Sequence, residues 1–82
     1  MAAEGEHGPE GETRWIRVPV SEIGFVRAIY EAYDGLCTLS APAADRGELA
    51  LWIAPGNEAL ADDIERRLAR TAGLQRIAAR TE

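Results

Sequence analysis

The alternation of apolar and polar residues is clear from the first segment that can form a strand. In the stretch TRWIRVP, Ile16 and Val18 fall on one side of an extended chain, and Trp15 and Arg17 fall on the other. The proline that closes this stretch has no N–H to donate to a neighbouring strand, so it should end the strand. The first pair of side chains suits a core, and the second pair must face a different environment.

A helix is predicted next, over Ser21–Asp34, with Ser21 as its N-cap and Gly35 as a left-handed residue that ends it. The apolar residues recur at helical spacing, which gives the helix one face for a core. That predicted face consists of Val26, Ile29 and Tyr33, widened by Phe25, Tyr30 and Ala32.

Two strands and a second helix follow. The stretch LCTLSA, Leu36–Ala41, should point Cys37 and Leu39 inward, and the turn-rich PAADRG should link it to the strand ELALWIAP. In this third strand one side carries Leu49, Leu51 and Ile53, and the other carries Ala50, Trp52 and Ala54.

The second helix should begin after Asn57, which can cap it, and should end at Gly73. Leu60, Ile64 and Leu68 are spaced by four residues and form its predicted buried stripe, which Ala61 and Ala72 widen. The final stretch LQRIAAR is compatible with a fourth strand.

This order of elements predicts an α+β fold of the ferredoxin-like type, βαββαβ, in which two helices cover one face of a four-stranded antiparallel sheet. Strands one and three are then central neighbours. The face of the sheet that the helices do not cover, called the open face below, should therefore bring together Trp15 and Trp52, with Arg17 and Arg76 beside them.

The first twelve residues, MAAEGEHGPEGE, have no large apolar side chain after Met1. Such a segment cannot bury enough surface to offset its chain entropy. We therefore expect a disordered acidic tail over residues 1–12 and a single domain over residues 13–82. The tail carries four Glu and no basic residue, so most of the net charge of −5 belongs to it. The acidic balance consequently says little about whether the domain binds nucleic acid.

Several features predict a cytoplasmic protein. The N-terminus is acidic and lacks the apolar region of a secretory signal, and no apolar run approaches the roughly 20 residues of a membrane span. A single Cys allows no internal disulfide. All nine basic residues are Arg and Ala is abundant, which is typical of GC-rich bacterial genomes.

The residue types needed for most catalysis are absent from the predicted domain. The single His, His7, lies in the tail, and Cys37 on a strand is more often a small buried apolar residue than a nucleophile. Asp62 and Asp63 are adjacent on a helix and point in different directions. We therefore expect no enzyme, no catalytic residue, no metal site and no cofactor.

The junction between the first strand and the first helix supports a functional hypothesis of its own. Gly24 falls in the first helical turn, where glycine costs about 1 kcal/mol against alanine but permits close approach of a ligand or backbone. It is either a tolerated glycine or part of a small-effector site near the exposed N–H groups of the helix. That candidate site comprises Val20, Ser21, Glu22, Ile23 and Gly24.

The stretch VPVSEIGFVRAIYEAYDGL resembles a small bacterial family of uncharacterised domains, domain of unknown function 4911. The matching residues are Val18, Pro19, Ile23, Phe25, Glu31, Tyr33, Asp34, Gly35 and Leu36. More loosely, the element order and Gly24 resemble ACT-type regulatory domains. This second resemblance implies that an amino acid or other small effector binds at the elbow, which is the junction between the first strand and the first helix. Such a site usually lies at an interface between two copies of the domain. Ser21 stands where ACT domains commonly carry an acidic residue.

Three functions are compatible with these features. The first is a self-associating regulatory or interaction module, a homodimer whose interface comprises Trp15, Arg17, Ala50, Trp52, Ala54 and Arg76. The second is a small-molecule sensor at the elbow. The third is a single-stranded RNA-binding sheet that stacks bases on Trp and Arg, although the third strand lacks the usual RNA-recognition pattern. The first is preferred, and nucleic acid is the less favoured partner.

Overall fold

A computed structural model describes residues 11–78 of the chain. Its strands are β1 (Glu12–Arg17), β2 (Cys37–Ala43), β3 (Glu48–Ile53) and β4 (Gln75–Ile77), and its helices are α1 (Ile23–Glu31) and α2 (Glu58–Thr71). Short 3₁₀ turns cover Val20–Glu22 and Ala44–Arg46. The strands form one antiparallel sheet in the order β2-β3-β1-β4. The predicted α+β class, the element order and the central β1–β3 pair are confirmed.

The core lies between one face of the sheet and both helices. The sheet contributes alternate residues, as predicted: Ile16 and Val18 from the β1 region and Leu49, Leu51 and Ile53 from β3. The helices add Val26 and Tyr30 from α1 and Ala61, Ile64 and Leu68 from α2. Cys37 and Leu39 pack against this core, which confirms their predicted inward orientation.

Strand β1 begins one residue earlier than predicted. Residues 1–10, which hold most of the predicted acidic tail and His7, lie outside the described residues, as do residues 79–82. Glu12, assigned to the tail by its composition, belongs instead to β1, where it is paired with Ile53 of β3. Strand pairing overrides the weak local preference of a charged residue.

Helix α1 is shorter than predicted. Ser21 lies in the preceding 3₁₀ turn and makes no capping hydrogen bond, and Glu22 occupies the N-cap position of α1. The helix ends at Glu31, so Tyr33 lies beyond it and helical spacing does not apply there. Tyr33 is exposed, and so is Phe25, which contradicts their assignment to the buried face.

Helix α2 buries the predicted stripe except for one residue. Ala61, Ile64 and Leu68 face the core, whereas Leu60 is 40% exposed. Ala61 is buried as predicted, and the assignment of Leu60 to the buried stripe is wrong. Asn57 is at the N-cap position but does not cap the helix, because its side-chain amide donates to the Gly35 carbonyl at 3.0 Å.

The connection from β2 to β3 fixes the end of β1. β2 extends to Ala43 with an irregular register after Ser40, and the link then closes through Gly47 at a φ of 77°. The Gly47 carbonyl accepts a hydrogen bond from Val18 N–H at 2.8 Å. A Cβ at Gly47 would collide with the Val18 carbonyl oxygen, so a glycine is needed at this position on both grounds.

The leucine and isoleucine positions of α2 allow a matched test of its orientation. Ile64→Ala should lower the free energy of unfolding by about 2–5 kcal/mol, since it leaves a cavity in the core. Leu60→Ala, which removes a partly exposed side chain, should cost well under half of that amount. Urea unfolding followed by circular dichroism measures both. Equal losses for the two variants would show that the helix turns Leu60 as well as Ile64 towards the core.

Candidate functional site

The open face of the sheet carries most of the predicted interface residues. The pairing of β1 with β3 sets Trp15 opposite Ala50 and Thr13 opposite Trp52. The two Trp therefore occupy diagonal positions on neighbouring strands, at a spacing of about 7–8 Å that large aromatic side chains can bridge. Arg17 continues the same side of β1. Ala54 follows β3 directly.

Both Trp side chains on this face are half-buried rather than fully exposed. The backbone at Gly11 lies against the Trp52 indole so closely that a Cβ at Gly11 would overlap the ring. The indole N–H of Trp52 is buried and, among residues 11–78, has no hydrogen-bond acceptor. The backbone at Gly11 therefore covers part of the Trp52 ring. The indole N–H lacks an acceptor in residues 11–78, although buried polar groups are normally hydrogen-bonded.

Arg76 does not belong to the open face, contrary to the prediction. β4 pairs Arg76 with Ile16 and Ile77 with Trp15, so Arg76 shares the helix side of the sheet with Ile16. Its guanidinium donates to both carboxylate oxygens of Glu65, at 2.8 and 2.9 Å. Ile77 takes the outward position next to Trp15. The sequence around β4 has no clear alternation, so it did not indicate the side on which each residue falls.

A buried arginine on the helix side was not anticipated. The side chain of Arg14 is only 4% exposed, and it forms ion pairs with Glu12 at 3.0 Å, Asp62 at 2.8 Å and Glu65 at 3.0 Å. Burial alone would lower the pKa of Arg14, but the hydrogen bonds to Glu12 and Asp62 raise it above its ordinary value. The guanidinium therefore stays charged and ties β1 to α2.

Two sequence signals could have revealed this cluster. Arg14 has the same parity as Ile16 on a strand whose inner side was already assigned. Asp62 and Glu65 are three residues apart on α2 and so share one side of that helix. The cluster is explained by packing alone, since it consists of a buried cation with the carboxylates that neutralise it.

A second group of charges lies at the end of the open face. Glu48 is 2% exposed, and its Oε2 accepts a hydrogen bond from Arg17 at 3.2 Å. The Nε of Arg46, from the β2–β3 link, lies 3.9 Å from the same oxygen. Both guanidinium side chains remain about half exposed, at 49% for Arg17 and 57% for Arg46.

These arginines line a cleft where β1 turns towards α1. Arg17, Val18, Pro19 and Val20 form one part of it. The remaining lining residues are Arg46, Gly73 and Gln75, and the volume of this open cleft is about 450 Å³. The cleft lies at the predicted elbow. Arg46, Gly73 and Gln75 come from distant parts of the sequence, so no local motif indicated them.

Of the five residues predicted for an effector site, the cleft includes only Val20. Ser21 and Glu22 belong to the adjoining turn, and Ile23 packs partly against the core. Gly24 is exposed, and apart from its chain neighbours and the backbone of its own helix nothing in residues 11–78 lies within 4 Å of the place where its Cβ would be. The described part of the chain therefore makes no close approach at Gly24. The cleft lies earlier in the chain, where Val18, Pro19 and Val20 line it.

The outer side of the helix pair has an apolar groove of about 410 Å³. Phe25 and Tyr33 of the α1 region form one wall and are the aromatic side chains most exposed to solvent in residues 11–78. Ile64, Arg67 and Leu68 of α2 contribute to the opposite wall. The charged lining residue, Arg67, is paired with Asp63 of the same helix at 3.4 Å, which does not define a ligand.

Cys37 has the properties of a core side chain. It is half-buried and packs against the apolar cluster. Burial raises the pKa of its thiol, and the Glu31 carboxylate adds to the rise. A raised pKa leaves less of the nucleophilic thiolate at neutral pH than in an ordinary cysteine.

Within residues 11–78, no three His, Cys, Asp or Glu side chains are grouped so that they could hold a metal ion. The two helices of this part of the chain are also too short and too polar to cross a membrane.

The resemblance seen in the region of the first helix is a family relationship. Residues 16–69, more than half of the chain, match the family described as Domain of unknown function (DUF4911). The chain belongs to this family. The match begins within β1 and ends within α2, so it includes β2, β3 and the elbow. No curated protein and no solved structure shows significant similarity to the chain.

Two glycines provide a matched test of the elbow. Gly24→Ala should raise the free energy of unfolding by about 0.5–1 kcal/mol, because alanine favours the helix and restricts the unfolded chain. Gly47→Ala should lower it, since φ is positive there and the new methyl would meet the Val18 carbonyl. Urea unfolding measures both. A loss of stability for Gly24→Ala would reveal a contact at the elbow that residues 11–78 do not make.

The raised pKa of Cys37 predicts low thiol reactivity. At pH 8 the folded chain should react with iodoacetamide more slowly than the urea-unfolded chain, since less thiolate is present and access is limited. The protonated thiol is favoured by the fold, so its contribution to stability is complete below the ordinary cysteine pKa and declines as pH rises through the higher folded value. Equal alkylation rates in the two states, measured by mass spectrometry, would contradict this assignment.

Proposed function

We propose that this domain is a self-associating regulatory or interaction module in which two copies meet through the open faces of their sheets. The observation that supports it is the position of Trp15 and Trp52 on the two central strands, on the face opposite both helices of residues 11–78. Tryptophan and arginine are the residue types most enriched at energetically important interface positions, and Arg17 lies on the same strand side as Trp15.

The size of the face limits how strong such a contact can be. Four strands at about 4.8 Å spacing and six residues at about 3.4 Å give a rectangle of roughly 400 Å² before side-chain relief is included. Stable interfaces bury about 800 Å² per partner, so this flat area is about half of the usual size. A reversible dimer with micromolar affinity therefore fits it better than a permanent one.

A second copy is a suitable occupant for this face because its middle is apolar and its charges are at one end. Trp15, Ala50 and Ile77 occupy adjacent positions across the three neighbouring strands. Arg17 and Glu48 lie at the end, already paired with each other. A two-fold axis through the middle would stack the apolar parts and leave each charged pair near the rim.

The ferredoxin-like and ACT-like interpretation is part of the same proposal. The order β2-β3-β1-β4, with two helices on one side, supports it. In the resemblance to ACT-type domains, the elbow after the first strand is the place for a small effector. The cleft formed by Val18, Pro19 and Val20 with Arg17 and Arg46 supplies a suitable concavity at that elbow.

RNA binding by the sheet receives less support than it did from the sequence. Arg76 is directed to Glu65 on the helix side, so its charge is not presented on the open face. A base-stacking face therefore retains its two half-buried Trp but has fewer available cations than predicted. Neutralisation of phosphate charge by available Lys and Arg dominates most RNA affinity.

The self-association is tested by the mass of the particle in solution. The chain should give a dimer by light scattering at tens of micromolar or higher, and Trp15→Ser and Trp52→Ser should each shift it to monomer. Phe25→Ser is the control, since it removes an exposed aromatic side chain from the helix side. Circular dichroism establishes that each variant is folded.

Two outcomes would contradict the proposal. A wild-type chain that is monomeric at tens of micromolar and above excludes the contact. A folded Trp15→Ser and Trp52→Ser double variant that remains dimeric places the contact on another surface.

A further inference from the structure

We infer that the cleft at the elbow binds the carboxylate of a small aliphatic molecule, held by Arg17 and Arg46. This inference rests on the effector part of the proposed function and is independent of the dimer. The two guanidinium groups come from β1 and from the β2–β3 link, and they meet at the cleft because both approach the carboxylate of Glu48.

The charges at the cleft favour an anion. Glu48 is buried beneath the two arginines and contributes one negative charge against their two positive charges. Each guanidinium has five N–H donors, and the closest approach to Glu48 is made by Nη2 of Arg17 and by Nε of Arg46. With about half of each arginine side chain exposed, donors remain on the cleft side for a further carboxylate.

The rest of the cleft limits the size and polarity of the ligand. Pro19 and Val20 supply an apolar wall, and Val20 is among the most exposed large apolar side chains of residues 11–78. Gly73 lies close to Pro19, since a Cβ there would be 3.4 Å from the proline ring. The volume of about 450 Å³ fits a short aliphatic chain beside the arginines.

The side chain of Arg17 connects this cleft with the open face. Arg17 lines the cleft, and it lies two residues from Trp15 on the same side of β1. A carboxylate that draws the guanidinium towards the cleft would weaken its bond to Glu48, at the rim of the surface proposed to contact a second copy. Occupancy of the cleft should therefore change the monomer–dimer balance.

The test is an NMR titration of ¹⁵N-labelled full-length chain with sodium butyrate at constant ionic strength. Butylammonium chloride and inorganic phosphate are the comparison probes. Butyrate should shift the amides of Val18, Val20 and Gly73 along a saturable curve with millimolar affinity. Butylammonium should not, and phosphate should bind more weakly because it cannot use the apolar wall.

Variants assign the binding to the two arginines. Arg46→Gln should weaken butyrate binding about tenfold or more, as expected for loss of a charge-assisted hydrogen bond. Arg27→Gln is the matched control, since Arg27 is a similarly exposed arginine on α1 that pairs with Glu31. Equal affinity in Arg46→Gln and wild type would overturn the inference, and so would equal binding of butylammonium or tighter binding of phosphate.

The same titration on Trp15→Ser separates this inference from the proposed dimer. Butyrate binding by a monomeric Trp15→Ser chain supports the cleft whatever the assembly. Absence of saturable shifts in both proteins up to about 100 mM, beyond the weak range of such small ligands, would overturn the cleft while leaving the light-scattering result intact.

Discussion

The alternation of side chains along β1 is the constraint on which the rest of this domain depends. β1 lies between β3 and β4, so its register sets both neighbours. Arg14 and Ile16 point to the helices, and Trp15 and Arg17 point away. A slip of one residue would exchange the two sets, which would bury Trp15 and Arg17 under α2 and expose Ile16.

Each side of β1 has its own consequence. On the inner side, the buried charge of Arg14 requires carboxylates. Helix α2 supplies Asp62 and Glu65 within ion-pair distance of the guanidinium. Removing those carboxylates would leave the buried cation with Glu12 as its remaining partner, so the ion pairs restrict where α2 can lie on the sheet. On the outer side no helix of residues 11–78 packs against the sheet. The backbone at Gly11 contacts the Trp52 ring, and any further cover for the two Trp must come from outside these residues.

The two surfaces proposed to act meet at Arg17. Arg17 is the last residue of β1, lies on the open face and also lines the cleft. The bond from Val18 N–H to the Gly47 carbonyl holds the β2–β3 link against this point, which brings Arg46 and Glu48 beside Arg17. A ligand and a second copy would therefore both act on one side chain, which is the physical basis for expecting them to influence each other.

The sequence by itself determined the element order, the α+β class and the inner and outer sides of β1 and β3, because strict alternation in a strand needs no information from other elements. Tertiary structure decided what alternation could not. The orientation of α2 leaves Leu60 partly exposed while Ala61, Ile64 and Leu68 face the core. Arg76 turns inward because the pairing of the short β4 with Ile16 sets its side, and Glu65 then accepts its guanidinium. The cleft is lined by residues from three separated segments, which come together only in the folded chain.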